Sequence, residues 1–208
     1  MALPRVLGVD FDNTLICYDE VFHRLAVEAG LVDPGSPPRQ KAVREAARRS
    51  PEGDVAWQRL QGAAYGPRIQ EARPAEGALA FLAWCRAEAI PVHVISHKTR
   101  LAAIDPSATD LREAARLWLE GHGFFDPEIG LDPGAFHCGA TRAEKIALIR
   151  EQGCTHFIDD LLETFREPGF PRVAQGILYA PGGEAVADPG GWWVVRSWAE
   201  FGRRFQDV

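Results

Sequence analysis

Residues 6–20 read VLGVDFDNTLICYDE. Val6, Leu7, Gly8 and Val9 form a short apolar run, bounded by Pro4 on one side and by acid on the other, the pattern of a buried strand with a polar end. Asp10 and Asp12 place two carboxylates one residue apart at the exit of that strand. Like charges so placed repel each other, and beside a buried strand they are poorly solvated. A metal ion, a shared proton or a functional need must offset the cost.

Outward from this stretch, about residues 18–74 read as helical with no clear strand. DEVFHRLAVEAG sets Val21, Leu25 and Glu28 on one stripe and Phe22, Ala26 and Ala29 on the next, then stops at Gly30. PPRQKAVREAARRS and GDVAWQRLQGAAYG are two further helix candidates, separated by Ser50-Pro51. From about Glu76 helix and strand alternate. EGALAFLAWCRAEA is a mostly apolar helix and IPVHVIS a buried strand with a polar end. TDLREAARLWLEGHG is a helix with Asp110 as N-cap and Glu113 three residues on. FHCG is a short strand, TRAEKIALIREQG a capped helix, THFIDD a strand ending in acid, and VAQGILYA and WWVVRSW further strands. APGGEAVADPGG reads as a surface loop. The alternation implies βαβ units, hence an α/β fold built on a parallel sheet with helices on both faces.

The bulk composition excludes several classes. A 208-residue chain with 46% hydrophobic and 25% charged residues has ordinary globular composition and can bury a core. A net charge of −6 argues against a nucleic-acid partner, which selects basic patches. No apolar run approaches 18 residues and the first strand starts by about Val6, so neither a membrane anchor nor a signal peptide is expected. Cys17, Cys85, Cys138 and Cys154 include no CxxC pair and read as reduced thiols of a cytoplasmic protein. His137-Cys138 and Cys154-Thr155-His156 read as core residues near strands in preference to a zinc site. Residues 16–74 carry 9 Lys/Arg against 8 Asp/Glu, so the helical stretch is near neutral on an acidic body.

In open parallel sheets ligands bind beyond the carboxyl ends of the strands. Asp10 and Asp12 follow the first strand, Ser96 ends PVHVIS, and Asp159 and Asp160 end THFI. Lys145 follows the Thr141-x-x-Glu144 capping box, so it lies in the first turn of its helix, electrostatically misplaced unless an anion compensates it. Asp10, Asp12, Asp159 and Asp160 are the metal-ligand candidates; three carboxylates and a backbone carbonyl suit a hard cation, Mg²⁺ above all. Such an ion would keep Asp10 ionised and nucleophilic, with Ser96 and Lys145 holding phosphoryl oxygens. Asp12 would exchange protons with a leaving alcohol and a hydrolytic water, and attack by Asp10 on phosphorus would give an aspartyl-phosphate.

VDFDNTL, VISHKT, the Glu144-Lys145 pair of TRAEKIAL, and FIDD occur in that order. They resemble the four signature segments of the haloacid dehalogenase-like superfamily, and the match runs from Val6 to about Leu178. The resemblance implies a Rossmann-like core, residues 1–17 and 75–208, with a small helical cap, residues 18–74, inserted after the first strand. It implies Asp10 as nucleophile, Asp12 as general acid/base, Ser96 and Lys145 on the phosphoryl group, and Asp160 as the preferred Mg²⁺ ligand with Asp159 in support. Members that act as true dehalogenases lack an acid at the place of Asp12, so the chain resembles the phosphatase type. Two departures stand out. Asn13 replaces a frequent glycine and is expected to serve the local turn. His97 and Lys98 follow the serine, as exposed loop residues or as readers of a second anionic group, and His97 is carried as a phosphate-binding candidate.

The implied cap would exclude water and select substrate, with His23, Arg24, Trp57, Arg59, Tyr65 and Arg68 as contacts to weigh against helix packing or solvation. The expected substrate is a small soluble phosphomonoester, such as a sugar phosphate, and the expected state a monomer or homodimer. The competing readings are a phosphotransferase or phosphomutase using the same site, and a non-catalytic phospho-ligand-binding protein. A phospho-acceptor receiver module fits poorly, because its adjacent acid pair precedes the phosphorylated Asp and here it follows.

Overall fold

The computed structural model describes residues 4–183 and 190–207. Its elements in chain order are β1 (Leu7–Val9), β2 (Ile16–Cys17), α1 (Asp19–Glu28), α2 (Gln40–Arg49), α3 (Asp54–Tyr65), β3 (Arg73–Pro74), α4 (Ala78–Ala87) and β4 (Val92–His97), followed by α5 (Leu111–Gly121), β5 (Phe136–Gly139), α6 (Arg142–Glu151), β6 (His156–Asp159), α7 (Leu162–Arg166), β7 (Gln175–Tyr179), β8 (Trp193–Val195) and α8 (Trp198–Gln206). Six strands form one sheet in the order β5-β4-β1-β6-β7-β8, and β2 pairs with β3 in a short ribbon. Every pairing in the large sheet is parallel. Numbered among themselves, its strands run 3-2-1-4-5-6, the Rossmann-like doubly wound order. The expected α/β architecture is therefore present.

The order reverses at β1, so the switch-point crevice opens where β1 meets β6. Val9 stands opposite Val94 on one side and Ile158 on the other. The next residue, Asp10, is thus level with Asp159, and Ser96 lies one step beyond Ile95. The Asp10 N–H still donates to the Ile158 carbonyl at 2.9 Å, extending the ladder up to the acid.

Both faces of the sheet are covered by apolar side chains. On one, Ile146 and Ile149 of α6 pack with Ile95, Phe157, Phe165, Phe170, Leu178 and Cys154. Gly8 belongs to this arrangement: a Cβ there would collide with the Phe157 ring and the Cys154 sulfur. Elsewhere Phe81 of α4 packs on Trp198, Phe201 and Phe205 of α8, with ring centroids 4.9–5.8 Å apart. α8 lies beyond the strand expected in WWVVRSW and is not among the expected helices. Its signal is Ser197-x-x-Glu200: the Ser197 hydroxyl accepts from the Glu200 N–H at 3.1 Å, and the Glu200 carboxylate accepts from the Arg196 N–H at 2.7 Å.

The chain divides into two compact units, one of Met1–Leu15, Pro74–Lys98 and His122–Val208, the other of Ile16–Arg73 and Thr99–Gly121. The expected helices at 18–74 are present as α1, α2 and α3. The reading of all of 75–208 as core differs from this division, since Thr99–Gly121 falls in the second unit. The reason is packing: α5 lies against α3 and the 3-10 turn Ile69–Glu71, and the buried Trp118 indole donates to the Ala72 carbonyl at 2.9 Å. Alternation along the sequence identifies α5 as a helix but not which neighbour its apolar stripe meets. The four cysteines are free. Among the described residues no helix is long and apolar enough to cross a membrane. Of the expected loop at 180–191, residues 184–189 lie outside the described residues.

Candidate active site

Asp10 leaves β1 into a turn in which the Phe11 carbonyl accepts from the Thr14 and Leu15 N–H groups. Asn13 adopts φ 58°, a left-handed conformation that Asn tolerates better than most residues, which accounts for it in this turn. Asp10 is buried, and the Thr14 hydroxyl lies 3.5 Å from its Oδ2.

Lys145 reaches the same place from α6. The Thr141 hydroxyl caps the helix by accepting from the Glu144 N–H at 3.1 Å, and the Glu144 carboxylate accepts from the Ala140 N–H at 2.7 Å. Gly139, the last residue of β5, lets the helix start this close to the strand: a Cβ would stand 2.7 Å from the Lys145 nitrogen. Lys145 Nζ then donates to Asp10 Oδ1 at 2.6 Å and to Asp159 Oδ2 at 2.7 Å, with all three side chains buried. The compensating anion that a lysine in the first helical turn requires is this pair of carboxylates. Asp159 Oδ1 accepts from the Leu161 N–H at 2.8 Å, so both its oxygens are engaged.

Asp160 differs from its neighbour. No hydrogen bond or ion pair engages its carboxylate among the described residues, and it is only partly buried. Asp10, Asp159 and Asp160 each offer an oxygen within 4.8 Å of the others. One ammonium among three carboxylates leaves an excess of negative charge. Burial pushes the Asp10 carboxyl up to about 7; Lys145 pulls it back, while Asp159 and Asp12 add to the rise. Burial, then Asp159 and Asp10, holds Asp160 well above the usual carboxylate range. Burial disfavours the Lys145 ammonium, but Asp10 and Asp159 outweigh it and hold its pKa above the ordinary lysine value. An all-oxygen, over-acidic set of this kind fits a hard divalent cation, which would return the acids to their charged forms.

Ser96, at the end of β4, is fully buried, and its hydroxyl is a buried polar side-chain atom without a hydrogen-bond partner among the described residues. Such a group costs about 1–3 kcal/mol unless something fills it, and a phosphoryl oxygen would. His97, by contrast, is exposed, with its Nε2 3.2 Å from the Ala140 carbonyl oxygen. Lys98 is not the exposed loop residue it could have been: its side chain is 3% exposed and ion-paired with Asp12. Asp12 therefore stands outside the three-acid group, on an ammonium of its own. Sequence reasoning left Lys98 open because an alternation of polar residues after a strand does not reveal which of them turns inward.

The second unit's polar candidates have partners inside it. Arg24 pairs with Glu71, Arg59 with Glu52, and Arg68 with both Glu28 and Glu71. His23 Nε2 is 3.1 Å from the Ser36 hydroxyl. Trp57 stacks on Phe22 at 4.9 Å, and Tyr65 packs edge-on against Tyr18 and Phe22.

No protein-family model matches the chain. No curated protein matches it either. Solved structures do. A HAD family hydrolase of Deinococcus radiodurans R1, solved with bound phosphate and sodium, is 18% identical with a TM-score of 0.59, covering 98% of this chain and 96% of its own. A HAD-hydrolase of Bacillus subtilis bound to magnesium is 13% identical with a TM-score of 0.61, each chain covered in full. A protein of Clostridium acetobutylicum, named as a predicted phosphatase, is 14% identical with a TM-score of 0.62, again over the full length of both. At these identities the likeness is one of fold.

Proposed function

We propose that this chain, which has the fold of the haloacid dehalogenase-like hydrolases, is a Mg²⁺-dependent phosphomonoester hydrolase acting through an aspartyl-phosphate. The observation that carries the reading is the convergence of Asp10, Asp159 and Asp160, the first two on the buried Lys145 ammonium, together with a buried Ser96 hydroxyl that has no hydrogen-bond partner among the described residues. A parallel sheet presents its ligand site at this switch point, and a hydroxyl donor, an ammonium and over-acidic carboxylates are the parts phosphoryl transfer requires.

In this reading Asp10 attacks phosphorus through a carboxylate oxygen while the bond from phosphorus to the alcohol oxygen breaks. Asp12 gives its proton to that oxygen, and the alcohol leaves. Water then attacks the phosphorus of the aspartyl-phosphate, Asp12 takes a proton from it, and inorganic phosphate departs with the Asp10 carboxylate restored. Ser96 Oγ and Lys145 Nζ donate to the phosphoryl oxygens throughout. Asp10 and Asp160, with Asp12 through its main chain, would hold the cation, and Asp159 would orient Lys145. Bound there, Mg²⁺ would neutralise charge on the acids and on the phosphoryl group. His97 is close enough in sequence to Ser96 to reach a ligand, but its contact with Ala140 makes it the weaker phosphate-binding candidate.

The substrate in this reading is a small soluble phosphorylated metabolite, with a sugar phosphate the first class to try. The setting is the cytoplasm, where free thiols stay reduced. The test is phosphate release from a panel of sugar phosphates, nucleotides and small phosphorylated acids, with Mg²⁺, with EDTA, and with Asp10→Asn. Metal-dependent release that the variant lacks is the expected result. Release that survives Asp10→Asn overturns the nucleophile. Transfer to an added alcohol in place of water turns the reading to a phosphotransferase.

A further inference from the structure

Two buried lysines serve the two acids of Asp10-Phe11-Asp12, one each. Lys145 holds Asp10, and the second lysine, Lys98, lies outside the set that chemistry alone would select. Its side chain is 3% exposed, and its Nζ lies 2.9 Å from Asp12 Oδ1 and 2.9 Å from Asp12 Oδ2, so the ammonium straddles the carboxylate. The Lys98 N–H donates to the Gly139 carbonyl at 2.9 Å, which ties its backbone to the end of β5. The ammonium also sits 5.4 Å from the Phe11 ring centroid. Lysine is seldom buried this deeply unless paired. Burying an ion pair is a poor way to gain stability, because desolvation consumes most of the attraction. What the arrangement does supply is orientation. A carboxylate met at both oxygens by one buried cation cannot rotate freely about its last bond, while Asp12 remains 22% exposed on its open side.

We propose that Lys98 is a positioning residue that fixes the plane of the Asp12 carboxylate for proton transfer to and from the reacting oxygen. The inference rests on the phosphatase reading, in which Asp12 is the general acid/base. A proton donor must lie within about 2.6–3.2 Å of the oxygen it serves. A misplacement of about 1 Å costs on the order of 10²-fold in rate.

The experiment compares phosphate release from p-nitrophenyl phosphate, whose leaving group needs no proton, with release from an alkyl phosphate, whose leaving group does. Wild type, Lys98→Met, Asp12→Asn and the double variant are measured under Mg²⁺, with Lys98→Gln as a second uncharged replacement should Lys98→Met fold poorly. Hydrolysis of the aspartyl-phosphate is common to both substrates, so the quantity compared is kcat/KM, which ends with departure of the alcohol. Lys98→Met is expected to lower it for the alkyl phosphate by about 10²-fold and for p-nitrophenyl phosphate by only a few-fold, and to add little in the Asp12→Asn background. Lys98→Arg, which keeps a cation, is expected to restore part of the alkyl phosphate rate. Equal losses in kcat/KM on both substrates would mean that Lys98 acts on the phosphoryl group or on folding, and would overturn the proposal. So would an unchanged kcat/KM for the alkyl phosphate, or full additivity with Asp12→Asn. A wild-type protein with no Asp10-dependent release from either substrate is a different failure: it removes the phosphatase reading and this inference with it.

Discussion

Gly139→Ala tests how the fold delivers Lys145 to the site. The new Cβ would stand 2.7 Å from the Lys145 nitrogen and 3.0 Å from Glu144 Cβ, where ordinary contact begins at 3.4 Å. The closest of these is a backbone atom, so no flexible side chain can yield. The first turn of α6 must retreat by about 0.7 Å, the difference between 3.4 and 2.7. Overpacking of this kind costs about 1–3 kcal/mol, and each kcal/mol lowers Tm by about 2–4 °C in a chain of this size. The same retreat draws Lys145 Nζ from Asp10, now 2.6 Å away. The expected loss in kcat is about 10- to 10²-fold, by the usual penalty for misplacing a catalytic group by up to 1 Å. Thermal melts and phosphate release would be measured on the same preparations. Gly121→Ala, at the end of α5, is the control: its Cβ would meet only the Gln70 side chain at 3.5 Å, so neither quantity should fall. A Gly139→Ala protein with wild-type Tm and rate would refute the contact. A lower Tm with full activity would refute the link from Gly139 to the placement of Lys145.

Three further outcomes follow from the structure. Mg²⁺ at 100 times its Kd should stabilise the protein by about 2.7 kcal/mol; Asp160→Asn should lose most of that gain in a thermal shift, while Asp159→Asn should chiefly lower the metal-free Tm by removing one of the two carboxylates paired with Lys145. The reverse pattern would make Asp159 the direct ligand. Phe81→Ala removes the ring on which Trp198, Phe201 and Phe205 converge and should cost about 3–5 kcal/mol in urea denaturation; a loss under about 1 kcal/mol would mean that α8 does not depend on it. Burial, with Arg5 adding to it, lowers the pKa of His156 in the folded state, so the unfolded chain binds the proton more readily. The stability this contributes is present above the unfolded value of about 6.5 and is lost as pH falls from there toward the folded value. His156→Gln should therefore narrow the difference in urea midpoint between about pH 7.5 and pH 5.5; an unchanged difference would clear His156 of the effect.

Much of this molecule is legible in one dimension because the controlling interactions are local. The apolar run Val6–Val9 ending in acid, the Thr141-x-x-Glu144 box before Lys145, the Asp110 cap and the glycine after α1 each fix an element through neighbours a few residues apart, and each stands where the sequence puts it. The α/β alternation then leaves few topologies open, so the carboxyl ends that carry Asp10, Ser96 and Asp159 could be grouped before their distances were known. The capping box at Ser197 is equally local and marks the start of α8. What the tertiary structure alone decided is pairing and burial. Lys98 and Asp12 are 86 residues apart, Lys145 and Asp10 are 135 apart, and nothing short-range specifies which ammonium meets which acid. The same holds for α5, whose amphipathic stripe reads identically whether it meets the sheet or α3, and for Asp159 and Asp160. Those two are adjacent and identical in type, yet the strand's alternation turns one inward onto Lys145 and leaves the other without a hydrogen-bond or ion-pair partner among the described residues. Side-chain direction at the end of a strand depends on register with its neighbours, and register is a property of the assembled sheet.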